Sequence, residues 1–183
     1  MKLRFLLLIS TTLAQVKYNH PEFNWQTIET SHFKIHFYSE TEQSAREGAN
    51  VAERVYPFIT ELYQYEPFDK TDIVFTDVDD ISNGAAYFYD NKIIIWTSPL
   101  EIELRGSHRW LQNVITHEFA HIVSIQRAQK FGKSIPGGYV QWIGYEKEKR
   151  PDVLYGYPNT LVSYPIPGTA VPPWLAEGVA QYM

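Results

Sequence analysis

The sequence predicts an α+β domain, in which helices cover one side of a mostly antiparallel sheet. Three observations predict this class: apolar and polar residues alternate over 33–37, a helical stripe of apolar residues begins near Ala45, and two strand-like runs flank Asp90-Asn91. Elements in the order strand, helix, strand, hairpin and helix form one layer of helices on one sheet. With 183 residues, of which 44% are hydrophobic, the chain can bury a single core.

The strands are predicted from alternation and from turn residues. Residues 33–37 have the period of a strand with one buried face, and residues 72–76 form a second strand signal. Residues 85–89 and 92–96 are expected to pair as a hairpin around the Asp-Asn turn.

The first helix is predicted from a capping box and a stripe. Ser39 and Glu42 have the spacing of a capping box. Pro57 lacks a backbone N–H and is expected to bend or split the helix. The stripe, which is most simply core, consists of Ala45, Ala49, Ala52, Tyr56, Ile59 and Leu62 and ends near Tyr65.

The N-terminus predicts a cleaved export signal over residues 1–14. Lys2 and Arg4 stand at the start of a short apolar run, and residues 12–14 are an imperfect small-x-small cleavage site. An ordinary apolar first strand is the alternative. The run is too short for a membrane-spanning helix, which needs about 20 apolar residues. We therefore expect no integral membrane span and one mature domain at 15–183.

Charge and cysteine content limit the partners. The net charge is −5 and the sequence pI is about 5.7, without a basic cluster, so the sequence predicts no nucleic-acid partner. The chain has no Cys, which excludes disulfides. An exported protein without disulfides is acceptable when its core is large enough.

The second helix, predicted over 107–128 with Ser107 as N-cap, carries His-Glu-Phe-Ala-His. On a helix, His117 and His121 lie one turn apart on one face, so both imidazoles can reach one metal ion, with Glu118 beside them. Two His on a solvated helix face are the alternative. Catalytic zinc sites hold three protein ligands and leave a fourth position to water, so a third ligand is expected elsewhere. The buried stripe of this helix is predicted at Leu111, Ile115, Ile122 and Ile125.

Thermolysin-like zinc metallopeptidases, the gluzincins, take that third ligand from a Glu on a later helix. The neutral aminopeptidases among them carry it in a stretch close to Trp-Leu-x-Glu-Gly-x-Ala, and this chain has Trp-Leu-Ala-Glu-Gly-Val-Ala at 174–180. The chain therefore resembles a gluzincin, most closely the "peptidase MA-like" domains of exported bacterial proteins. The resemblance implies that His117, His121 and Glu177 bind one Zn²⁺. A solvated helix glutamate is the alternative for Glu177.

The resemblance also implies a zincin-like fold, in which the strand ahead of the HExxH helix is an edge strand that binds the substrate backbone. Residues 84–87 occupy that place, so Ala85, Ala86 and Tyr87 are the expected substrate-binding residues. Plain hairpin structure is the alternative. Neutral aminopeptidases have a Glu in this motif that binds the substrate's free amine, whereas this chain has Ala and Tyr, which disfavours an aminopeptidase.

The implied mechanism is hydrolysis by a zinc-activated water, with Glu118 as the general base. The thermolysin pattern also places an Asp four residues after the ligand Glu, where it hydrogen-bonds a zinc-bound His. Gln181 stands at that position here. Its carbonyl can still orient the imidazole, but it raises the basicity of the ring less than a carboxylate does.

Residues 122–176 separate the two halves of the motif and contain seven of the chain's 11 Pro. This composition disfavours long regular elements. Its many aromatic residues predict an ordered excursion over the cleft, with a purely structural wrap as the alternative.

The sequence thus predicts a zinc metallopeptidase that acts on peptides or proteins. The alternative is an inactive peptide-binding or assembly domain of a larger exported protein, such as one with a β-propeller. The expected location is periplasmic, outer-membrane-associated or secreted, in a bacterium. Since the chain stops six residues after Glu177, the resemblance also predicts a downstream domain and a C-terminal helical subdomain that is missing here.

Overall fold

The computed structural model describes residues 20–78, 82–98, 109–131, 137–145 and 158–182. Within these ranges the chain is an α+β structure with three α-helices, a five-stranded mixed sheet and a two-stranded ribbon. The predicted signal at 1–14 and Ser107 lie outside the described residues.

The main sheet has the strand order β1-β2-β3-β5-β4, so β4 forms one edge as predicted. Each strand with alternating burial directs its buried residues toward the helices, as a sheet covered on one face requires. The strands are β1 (Gln26–Glu29), β2 (Phe33–Phe37), β3 (Thr71–Thr76), β4 (Gly84–Tyr87) and β5 (Lys92–Trp96).

The prediction of a mostly antiparallel sheet is wrong. The β1–β2 and β4–β5 pairs are antiparallel, but β2–β3 and β3–β5 are parallel. The β2–β3 pair is parallel because the intervening helix crosses over the sheet and returns the chain to the same end. In the hairpin, the second strand pairs with β3 and the first strand takes the edge.

Helix α1 spans Glu42–Tyr63 and packs its stripe on the sheet. Pro57 lies inside this helix and does not split it. The capping contact lies one residue earlier than predicted: Thr41 Oγ1 accepts from the Tyr38 N–H at 3.2 Å, across a 3₁₀ turn at Ser39–Thr41. Leu62 is exposed, so it does not belong to the core stripe.

Helix α2 spans Trp110–Arg127 and packs against α1 and the sheet. Its N-cap residue is Arg109 rather than the predicted Ser107. Phe119 is fully buried, with its ring 5.2 Å from Phe33 and 5.6 Å from Tyr56. This aromatic contact joins the two helices to the sheet at the centre of the core.

The aromatic segment contains long regular strands, which contradicts the prediction. Strands β6 (Gly137–Tyr145) and β7 (Pro158–Pro167) pair antiparallel. Pro165 and Pro167 lie two residues apart in β7, opposite Tyr139 and Gly137, so both proline nitrogens point to the same side of the strand.

Helix α3 spans Pro173–Tyr182 and packs against α2. Between the ribbon and this helix, the chain is joined to the end of α2 by two backbone bonds. Lys130 N–H donates to Gly168 C=O at 2.8 Å, and Ala170 N–H donates to Ala128 C=O at 3.0 Å. None of the helices described here is long and apolar enough to cross a membrane.

Candidate metal centre

Helix α2 places both histidines on one face, one turn apart. His117 Nε2 and His121 Nε2 are 3.1 Å apart, and the two rings are nearly perpendicular, with an interplanar angle of 85°. This arrangement follows from the four-residue spacing, because residues i and i+4 are neighbours on a helix surface. The local sequence is therefore sufficient to bring the two nitrogens together.

Glu177 reaches the same point from α3. Pro173 opens that helix, where a missing N–H has no cost. Ala176 and Ala180 are buried one turn apart, and their small side chains allow α3 to lie close to α2. Glu177 Oε2 lies 3.5 Å from His117 Nε2 and 3.4 Å from His121 Nε2.

These three atoms form a nearly equilateral triangle that could hold a metal ion. Its sides are 3.1, 3.4 and 3.5 Å. A tetrahedral zinc with bonds of about 2.0–2.1 Å separates its ligands by roughly 3.3 Å, so the donor spacing fits this ion. The site is open on one side: the side chain of His121 is 9% exposed, that of His117 26% and that of Glu177 70%.

The electrostatics around His121 favour its neutral form. Burial lowers its pKa, the Glu177 carboxylate opposes that change, and neighbouring His117 lowers the pKa further. A neutral imidazole is the form that binds metals. The buried Nδ1 of His121 has no hydrogen-bond partner within the described chain, so Gln181, which is exposed, does not contact this atom. A hydrogen bond between Gln181 and His117 stays a prediction.

Glu118 is buried on the side of α2 that faces β4. Burial, and secondly the negative charge of Glu177, raise its pKa to about 7, although the hydrogen bond from the backbone N–H of Ala86 acts in the opposite direction. A carboxyl group with such a pKa can take up and release a proton near neutral pH. The raised pKa, beside a possible metal and an open strand edge, marks Glu118 as a functional candidate.

The expected substrate-binding residues lie next to Glu118. Trp96 N–H donates to Asn83 C=O at 3.0 Å, so the alternation of the ladder directs the backbone groups of Gly84 and Ala86 away from β5. In the described chain, β4 is paired on one side only. The structure thus places Ala86 beside Glu118, whereas substrate binding by Ala85, Ala86 and Tyr87 stays a prediction.

Sequence reasoning missed two contributors to this arrangement. Gly84 allows α2 to approach β4, and Ala176 with Ala180 allows α3 to approach α2. The two alanines had a readable signal, since small residues four apart on a helix indicate close packing against a neighbour. Gly84 had no such signal, because a glycine ahead of a hairpin is equally typical of a turn.

Comparison with known proteins returned no match: no protein-family model, curated protein or solved structure matches this chain. The resemblance to gluzincins therefore rests on the two sequence motifs.

Proposed function

We propose that this chain is a zinc-dependent metallopeptidase of the gluzincin type, with a zincin-like fold and His117, His121 and Glu177 as the ligands of one Zn²⁺. The observation that carries the proposal is the triangle of three donor atoms next to a buried glutamate. The chain has no Cys, which disfavours a structural zinc site, and the group found among the described residues offers three ligands. Three ligands with an open side are typical of a hydrolytic site.

Zinc bound here would supply an activated water and polarise the substrate carbonyl. With the metal bound, Glu118 would be placed to accept a proton from the attacking water as general base and to return it to the leaving amine. Its burial supports this role, because a carboxyl group whose pKa lies near 7 exchanges protons readily at neutral pH. The open edge of β4 provides backbone groups for an extended peptide, which orients the substrate next to Glu118.

The proposal also covers the substrate class, the location of the protein and its partner. The substrate class is peptide or protein, and the domain is exported to the periplasm, the outer membrane or the medium of a bacterium, with residues 1–14 as the signal. A downstream domain of the same polypeptide, such as a β-propeller, is the proposed partner. These points rest on the resemblance and on the apolar N-terminus.

A second candidate function is an inactive peptide-binding or assembly domain. One observation favours it: the β6–β7 ribbon exposes large apolar side chains on one face. Val140 pairs with Tyr164 and Trp142 with Val162, and all four are exposed. Exposed apolar surface of this kind is typical of interaction sites. Glu118, which a binding domain does not need, favours the enzyme.

The deciding experiment measures zinc stoichiometry and hydrolysis of a mixed peptide library for the native chain and for Glu118→Gln. Glutamine keeps the size of the side chain but cannot accept the proton, so zinc should stay while hydrolysis falls by about 10²-fold or more. Glu47→Gln, on the exposed side of α1, is the matched control and should retain full activity. Zinc binding without hydrolysis in the native chain would instead support the assembly domain.

A further inference from the structure

Gly84 is a point of close contact between the edge strand β4 and helix α2. It is the first residue of β4, and its backbone has no left-handed conformation that would itself require glycine. The reason for a glycine here is therefore space rather than backbone freedom.

A Cβ atom at position 84 would overlap two side chains of α2. It would lie 2.6 Å from Glu118 Oε1, 2.7 Å from Glu118 Cγ and 2.6 Å from Val114 Cγ2. Real Cβ atoms do not approach other heavy atoms this closely, so one group would have to move. Gly84 thus leaves the space that the Glu118 carboxylate occupies.

The two neighbours differ in how they can respond. Val114 is buried and β-branched, so its side chain has little rotamer freedom in a helix. Glu118 has three rotatable bonds, and its carboxylate is the far end of a flexible side chain. An added methyl group would therefore displace the carboxylate, or push the short edge strand off the helix and move Ala86 with it.

We propose that Gly84 is a positioning residue for Glu118. Because Gly84 lacks a side chain, the carboxylate can lie against β4, next to the Ala86 amide and the His117–His121–Glu177 triangle. The inference rests on the proposed function for its catalytic consequence. The packing contact itself does not depend on that function.

The first test compares Gly84→Ala with Gly138→Ala. A Cβ at Gly138, on the ribbon, would meet no atom within 4 Å, so the control adds the same methyl group in open space. Gly84→Ala should keep zinc at the native stoichiometry and change KM little, while kcat falls by about 10²-fold, as for a catalytic group misplaced by about 1 Å. Gly138→Ala should retain the native kcat.

The second test needs no activity. In metal-free protein, Gly84→Ala should lower the urea midpoint of unfolding, and the same change in a Glu118→Ala background should lower it by less, although the overlap with Val114 remains. Truncating Glu118 removes two of the three close contacts, so the two changes must be coupled.

The two tests separate the inference from the proposed function. Native kcat in a zinc-loaded Gly84→Ala protein, or equal midpoint shifts in both backgrounds, would overturn the inference. If the native chain binds zinc but hydrolyses nothing, the proposed function fails. In that case the shifts of the urea midpoint alone decide whether Gly84 positions Glu118.

Discussion

The region formed by the five-stranded sheet, α1 and α2 differs from the region formed by the ribbon and α3 in how far each encloses its apolar side chains. In the first region Phe33, Ile73 and Phe119 are completely buried. In the second, Trp142 is 73% exposed and Trp174 is 74% exposed. The first, closed region has a core of its own. In the second, open region, α3 packs against α2.

The candidate site lies across the boundary between these regions. His117, Glu118 and His121 belong to the closed region, and Glu177 belongs to the open one. The two histidines and Glu118 are therefore held by a packed core, whereas Glu177 is held by a ten-residue helix that buries two alanines. Helices this short gain little from their own hydrogen bonds. A bound metal would link α3 to α2 through Glu177 and the two histidines.

The largest expected difference is in stability. Phe119→Ala should lower the free energy of unfolding by about 3–5 kcal/mol, because it removes a fully buried aromatic ring at the centre of the core. Trp174→Ala removes a larger side chain from the open region, yet it should change stability by less than about 0.5 kcal/mol. Urea unfolding of the metal-free chain measures both, and similar losses would contradict the comparison.

The buried charge of Glu118 should reduce stability within the closed region. Because its pKa is raised to about 7, the folded state holds the proton more tightly than the unfolded state. The penalty is absent below the ordinary value of 4.5, grows as pH rises toward 7 and is complete above it.

Glu118→Gln, which removes this charge, should therefore stabilise the metal-free chain at pH 8 by roughly 1–3 kcal/mol and have little effect at pH 4. Thermal or urea unfolding in the presence of a chelator measures the difference at the two pH values. A stabilisation that does not depend on pH would show that the carboxylate is not the cause.

The link between the regions can be broken at Glu177. Glu177→Ala should lower zinc affinity by at least about 10-fold while the core remains folded. Hydrogen exchange gives a more detailed test: zinc should slow exchange of α3 amides in the native chain but not in the variant, and should affect α2 less. Glu47→Ala on α1 is the control. Unchanged zinc affinity in Glu177→Ala would remove this residue from the site.

The smallest expected effect concerns the hydrogen-bonded pair of His32 and Glu53 on the surface of the closed region. Burial raises the pKa of Glu53, but hydrogen bonds from Thr30 and His32 outweigh it, so the net pKa is lowered. His32 Nδ1 lies 2.7 Å from Glu53 Oε2. A lowered pKa adds stability above the unfolded value, and that stability is lost as pH falls through the folded value.

Glu53→Gln should therefore reduce the free energy of unfolding by about 1 kcal/mol or less at pH 7, and the difference should disappear in acid. Zinc affinity should stay native, because Glu53 belongs to α1 and not to the candidate site. A large loss of zinc binding would mean that the two regions are coupled more widely than their contacts indicate.

Much of the candidate site could be predicted because it is local. His117, Glu118 and His121 share one helical turn, so their arrangement follows from helix geometry alone. Glu177 was predicted from the motif at 174–180, and the structure brings its carboxylate to both histidines. The strand at 33–37 and the stripe from Ala45 were likewise predicted from periodicity, except for Leu62.

The errors concern interactions between distant parts of the chain. The parallel pairs of β3 and the pairing of β6 with β7 depend on which strand meets which, and periodicity carries no information about that choice. The sequence by itself therefore determined α1, α2, the strands β2 to β5 and the chemical groups of the site. Tertiary structure decided the order of the strands and the close contact of Glu118 with Gly84. It also decided the position of Glu177, whose helix is packed with Ala176 and Ala180 buried. Periodicity and capping act within a few residues, whereas close approach between elements depends on space that only the folded chain defines.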